Sequence, residues 1–99
     1  MQVPPSASLA EVRERIDALD RRIVRLLAER FAYAEQAAGF KKGPAEVPAP
    51  ERAERVVANV RRIAAENGAP PEAVEQVYRA LIAAMIAVEL RLQKFASKG

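Results

Sequence analysis

Leu9-Ala10-Glu11-Val12-Arg13-Glu14-Arg15-Ile16-Asp17-Ala18-Leu19-Asp20-Arg21-Arg22-Ile23-Val24-Arg25-Leu26 carries apolar residues at Leu9, Val12, Ile16, Leu19, Ile23 and Leu26, alternately three and four apart. That stepping makes one side of an α-helix apolar and does not fit the two-residue alternation of a half-buried strand. It continues through Arg30, Tyr33, Ala37 and Phe40, so one helix is predicted over about residues 8–41, roughly 50 Å long at about 1.5 Å per residue. Ser8-Leu9-Ala10-Glu11 opens it as a capping box, in which a hydroxyl and a carboxylate satisfy backbone donors left unpaired at a helix start. What remains of a 99-residue chain is too short to cover such a helix, so a second copy is expected to do so.

Outward from this stretch, Gly43, Pro44 and Pro48 interrupt helical hydrogen bonding and predict a loop over about 42–49. Pro50 suits the first turn of a second helix, about 50–67, whose stripe is Ala53, Val56, Val57, Val60, Ile63 and Ala64. Asn67-Gly68 supplies residue types that end helices in a left-handed turn. Pro70-Pro71-Glu72 opens a third helix, about 71–96, with a stripe of Val74, Val77, Leu81, Met85, Val88 and Leu92. No strand signal, repeat or low-complexity tract is visible. The reading is a single all-α domain over 1–99, three helices (long, short, long), paired with a second copy as an intertwined homodimeric bundle.

Composition removes much of the usual catalytic repertoire. The chain has no histidine and no cysteine, which excludes imidazole bases, thiolate nucleophiles and the commonest transition-metal ligands. No apolar run approaches the ~20 residues of a membrane span, and Met1-Gln2-Val3-Pro4-Pro5 lacks a signal-peptide layout; a cytoplasmic protein without a membrane partner is expected. A net charge of +3 suits an anionic ligand without choosing one. Arg15, Arg21, Arg22, Arg25, Arg61 and Arg62 interleave with Glu11, Asp17 and Glu66, as on an ordinary solvated face. A helical nucleic-acid-binding module is thus a remote alternative, and no nucleic-acid partner is expected.

A few polar residues sit where the pattern does not ask for them. Arg30 occupies the apolar seam, either laying its methylenes along the core with its head in water or turned inward to grip a carboxylate through two parallel hydrogen bonds. Lys41 lies eleven residues on, almost the same helical face and about 16 Å along the axis, which leaves room for a small dianion between the two; at a helix end it reads alternatively as a charge that complements the helix dipole. Arg13 stands beside the seam, roughly 25 Å from Arg30 on the same rod, so any shared ligand places Arg13 in a partner chain's site. Arg52 is in the first turn of a helix, where the dipole disfavours a cation; either a ligand anion or plain solvation accounts for it. Glu89 follows the uncharged run Ala80–Val88 and stacks by helical spacing on Ile82, Met85 and Ile86. It is either a partly desolvated carboxyl able to donate when protonated, or a helix-end glutamate facing solvent beside Arg91 and Gln93.

At these positions the sequence resembles the all-helical chorismate mutase family, particularly its isochorismate pyruvate-lyase branch. The carriers are Leu9-Ala10-Glu11-Val12-Arg13-Glu14, Ile16-Asp17-Ala18-Leu19-Asp20, Leu26-Leu27-Ala28-Glu29-Arg30, Phe40-Lys41 and Val47-Pro48-Ala49-Pro50-Glu51-Arg52, and the likeness covers most of the chain. The resemblance implies a homodimer with shared sites: Arg13 reaches into the partner's pocket, Arg30 and Lys41 hold the substrate carboxylates and ether region, and Arg52 helps hold a carboxylate. It implies that Lys41, Glu89 and Arg30 are the catalytic groups, with no metal or cofactor. Glu89 stands where the family usually has a hydrogen-bonding glutamine. Ala53 stands where many mutases have a glutamate contacting the ring hydroxyl, and Ala49 where they often have an aspartate. The changes at 49 and 53, with the proline-flanked Pro48-Ala49-Pro50 segment, lean toward the lyase branch.

The chemistry implied is the rearrangement of chorismate to prephenate, a pericyclic step that breaks an ether C–O bond while a C–C bond forms and needs no base or nucleophile. A protein accelerates it by holding the reactive conformer and by placing cations and donors where charge gathers on the ether oxygen. The alternative is an isochorismate pyruvate-lyase giving salicylate and pyruvate, with both activities in one pocket a third case. A mutase acting on an amino-substituted chorismate is weaker.

Overall fold

The computed structural model describes the backbone of residues 1–98 and the side chains of residues 1–94. It contains α1 (Leu9–Phe40), a 3-10 turn (Pro44–Glu46), α2 (Pro50–Glu66) and α3 (Pro71–Lys98), with no strand among the described residues. The all-α architecture of long, short and long helices is therefore as expected. The chain falls into two units, Gln2–Tyr33 and a second comprising Met1 with everything from Ala34 onward.

In the first unit the capping box forms with a shift. The Glu11 amide donates to Ser8 Oγ at 3.1 Å, whereas the Glu11 carboxylate accepts from the Ala7 amide at 2.9 Å, one residue ahead of the Ser8 amide that a capping box normally engages. Arg15 pairs with Glu11 and also donates to the Pro4 and Pro5 carbonyls and to Ser6 Oγ, pinning the leading segment along the helix. The apolar stripe of α1 is exposed: values run from 38% at Val12 to 63% at Leu9, with Ile16, Leu19, Ile23 and Leu26 between.

In the second unit α2 packs on α3. Val57, Val60 and Ala64 of α2 are buried, as are Met85 and Glu89 of α3, together with Ala38 and Val47. Val77, expected in the stripe of α3, is exposed, because the buried face steps through Met85 and Glu89. Two arginines lace the helix pair along its edge: Arg61 binds Glu75 and Glu72, and Arg79 binds Glu54 and Glu75. The Arg79 hydrogen bonds hold the Glu54 and Glu75 carboxyls below their ordinary range. Stabilisation from these pairs is thus present above about pH 4.3, the unfolded glutamate value, and is lost as pH falls through the lowered values. Both carboxylates are solvated, so the contribution is small.

Helix α1 ends at Phe40, one residue short of the expected limit. The Lys41 amide turns back to the Ala38 carbonyl at 3.2 Å, and the Lys42 amide leaves the helical ladder to donate to Glu46 Oε2 at 3.0 Å. Helix α2 ends as Asn67-Gly68 predicts: Gly68 takes φ 73°, its amide donates to the Ala65 carbonyl, and the Ala69 amide to the Ala64 carbonyl. This is a Schellman closure, which needs a left-handed residue after the cap. An L side chain there costs about 1–2 kcal/mol, and a Cβ would also meet the Met1 nitrogen, which donates to the Asn67 carbonyl at 2.9 Å. Gly68→Ala should lower the thermal midpoint followed by circular dichroism by about 5 °C or more. An unchanged midpoint would show that the turn relaxes without loss.

Candidate active site

The site is assembled where the end of α1 meets α3. Because α1 stops at Phe40, Lys41 is the first residue beyond the helix, and its side chain is free to turn toward α3. Lys41 Nζ lies 3.2 Å from Glu89 Oε2, 3.4 Å from Glu89 Oε1 and 3.2 Å from the Val47 carbonyl. The pair is well covered: Glu89 is 5% exposed, and Val47, at 1%, is the most deeply buried large side chain of the loop. Burial of Val47 fixes its carbonyl, so the loop and α3 hold the ammonium from two directions.

An ammonium has three N–H donors and no acceptor. The Val47 carbonyl and the Glu89 carboxylate occupy two directions, and Lys41 makes no further bond among the described residues. A third donor is therefore available to an anionic or ether oxygen. In a poorly solvated position a charge-assisted hydrogen bond of this kind is about twice as strong as a neutral one. Glu89, read from sequence as either desolvated or solvent-facing, is the desolvated case. Stepping four residues on from Met85, it takes the position on the buried face of α3 that an apolar side chain would otherwise fill.

Lys41 and Glu89 are brought together; the other expected residues are not joined to them within their unit. Arg52 is exposed in the first turn of α2 and makes no hydrogen bond or ion pair among the described residues. Arg13 and Arg30 belong to the Gln2–Tyr33 unit. Arg13 is exposed, again without a bond among the described residues, while Arg30 is half-buried. Ala49 caps α2 with no side-chain bond, and Ala53 is half-buried in its first turn. One further contact at this helix end escaped the sequence reading: Gln93, half-buried, donates from Nε2 to the Ala38 carbonyl at 2.8 Å. Its signal was its place four residues after Glu89, on the same face of α3.

Residues 12–90 match the model of the family described as chorismate mutase type II. The chain is similar to the isochorismate pyruvate lyase of Pseudomonas aeruginosa, 36% identical over 92 residues that span 92% of this chain and 91% of that protein. It is also similar to the bifunctional chorismate mutase/prephenate dehydratase of Aquifex aeolicus, 33% identical over 89 residues, 86% of this chain but 25% of that larger protein. The family match over residues 12–90, together with the likeness to the lyase along nearly the whole chain, establishes that this chain is an enzyme of the type II chorismate mutase family.

Proposed function

We propose that the chain rearranges chorismate to prephenate by electrostatic and conformational preorganisation, and that the same pocket supports isochorismate pyruvate-lyase chemistry. The observation that carries this reading is the partly buried pairing of Lys41 with Glu89, a fixed cation with a spare donor in a chain that has neither histidine nor cysteine. Such a site has nothing with which to form a covalent intermediate through imidazole or thiolate. It can hold a diacid and stabilise charge on an ether oxygen, which is what the pericyclic step requires. The likeness to a pyruvate lyase along nearly the whole chain favours the second activity, as do the alanines at 49 and 53, which leave the ring substituent without a charged contact.

In this proposal Arg30 and Lys41 grip the substrate carboxylates and ether region, Glu89 faces the ether oxygen, and Arg52 closes on a carboxylate. Arg13 enters from a second chain. The exposed apolar stripe of α1 supports a homodimer, since leaving so many large side chains in water is unfavourable by about 25 cal/mol for each Å² that a partner would cover. No helix among the described residues is long and apolar enough to cross a membrane, which accords with the proposed cytoplasmic location.

Ultraviolet assays of the purified protein with chorismate and, separately, isochorismate test the two activities; turnover of neither refutes the proposal. Lys41→Ala and Arg30→Ala should each lower turnover ~100-fold or more, equivalent to ~3 to 4 kcal/mol of lost transition-state stabilisation. Near-normal rates in either variant would remove that residue from the mechanism.

Glu89→Gln keeps a polar side chain that can donate a hydrogen bond at that position, whereas Glu89→Ala removes it; turnover should fall further in the alanine variant by about tenfold or more, and equal rates in the two would remove Glu89 from the mechanism. The shared site is tested by co-refolding Arg13→Ala chains with Lys41→Ala chains. A mixed dimer then holds one intact site, and roughly a quarter of wild-type activity should return from two nearly inactive parents. No recovery would place both residues in the same chain's site.

A further inference from the structure

The end of a helix leaves its last four carbonyls without helical partners. At the end of α1 the shortage is acute at Ala38. The amide that would complete its helical bond, that of Lys42, is turned away to Glu46, and α1 has no basic side chain in its last turn. Ala38 is buried as a residue, and its carbonyl receives instead the Lys41 amide at 3.2 Å and the Gln93 side-chain amide at 2.8 Å. Gln93 and Glu89 are four apart on α3 and therefore share a face. One turn of α3 holds the Lys41 ammonium through Glu89, and the next holds the main chain three residues before it through Gln93.

We infer that Gln93 is a positioning residue for the reaction: by bonding the Ala38 carbonyl it fixes the terminal turn of α1 and so sets where Lys41 Nζ stands. This rests on the reading of Lys41 as the cation that acts on substrate. Gln93 lines an open groove of about 260 Å³ with Glu35, Ala38, Gly39 and Leu92, so water can reach the Ala38 carbonyl once the amide is removed. Water satisfies the carbonyl but does not fix it to α3. Loss of Gln93 should therefore leave the fold stable while Lys41 loses its registration, and a displacement of about 1 Å in a catalytic group costs up to ~100-fold in rate.

The test is Gln93→Met, which keeps length and apolar stem and lacks the donor, made in the wild-type chain and in Lys41→Ala. In the wild-type chain kcat should fall by about tenfold, with KM little changed and the thermal midpoint retained. In Lys41→Ala the same substitution should have no further effect, because residues acting through one group are not additive. Amide hydrogen exchange at Lys41 should accelerate in Gln93→Met. Unaltered kcat, losses that multiply in the double variant, or unaltered exchange at Lys41 each overturn the inference. A wild-type protein that turns over neither chorismate nor isochorismate overturns the parent reading instead, and the exchange measurement still reports whether Gln93 secures the turn.

Discussion

A lysine ammonium kept partly out of water must be met by acceptors, and the way Lys41 is met organises the second unit of the chain. Its acceptors come from two elements: the Val47 carbonyl from the loop and the Glu89 carboxylate from α3. Each acceptor has its own support. Val47 is fixed because its side chain is fully enclosed, and Glu89 because it lies on the face of α3 that also carries Met85. Truncating either partner of a buried ion pair leaves the other charge uncompensated, which costs about 3–5 kcal/mol. Loop, helix end and α3 are therefore not independently adjustable.

In the proposed reading, the arrangement accounts for catalysis by a chain without histidine or cysteine. Preorganised charge acts without exchanging protons or forming bonds, provided that it is held in place before the reaction begins. The sequence meets that condition with rigid parts: an ammonium at a helix end, a carbonyl fixed by an enclosed valine, and a carboxylate four residues beyond a buried methionine. By contrast, the exposed ion pairs of Arg61 and Arg79 along α2 and α3 contribute little beyond aligning the helices, since solvent screens them.

Much of the fold was legible because its signals are local. The three-and-four stepping, the Ser8–Glu11 cap, the Gly43–Pro44 break, Pro50 and Asn67-Gly68 act within a few residues of themselves, and the elements fall within a residue or two of expectation. Glu89 was visible as an anomaly, but whether it faced solvent depended on which side of α3 packs on α2. The stripe through Val88 and Leu92 and the face through Glu89 and Gln93 lie side by side on the helix, and sequence periodicity does not separate them. Lys41 was visible as a charge at a helix end, whereas its contact with the Val47 carbonyl depends on the path of the loop. Gln93 was the least legible, since its partner is a backbone carbonyl, which every residue carries. The roles of Arg13, Arg30 and Arg52 came from family resemblance and remain part of the proposal.

The two proposed activities place the same demand on this pocket. Both chorismate and isochorismate present two carboxylates and an ether bond whose cleavage moves negative charge onto oxygen, so one set of cations can hold either substrate and stabilise either transition state. What distinguishes the reactions is which atoms are brought together in the bound conformer: carbon with carbon in the rearrangement, hydrogen with carbon in the lyase step. That choice belongs to the shape of the pocket around the ring and side chain, and less to the charges. In this chain the residues near the start of α2 that would dictate ring placement by charge are the small, uncharged Ala49 and Ala53. Under the proposed reading, fixed charges that hold the carboxylates beside weak polarity near the ring would constrain the electrostatics of the reaction more tightly than its regiochemistry, and both reactions would then share one scaffold.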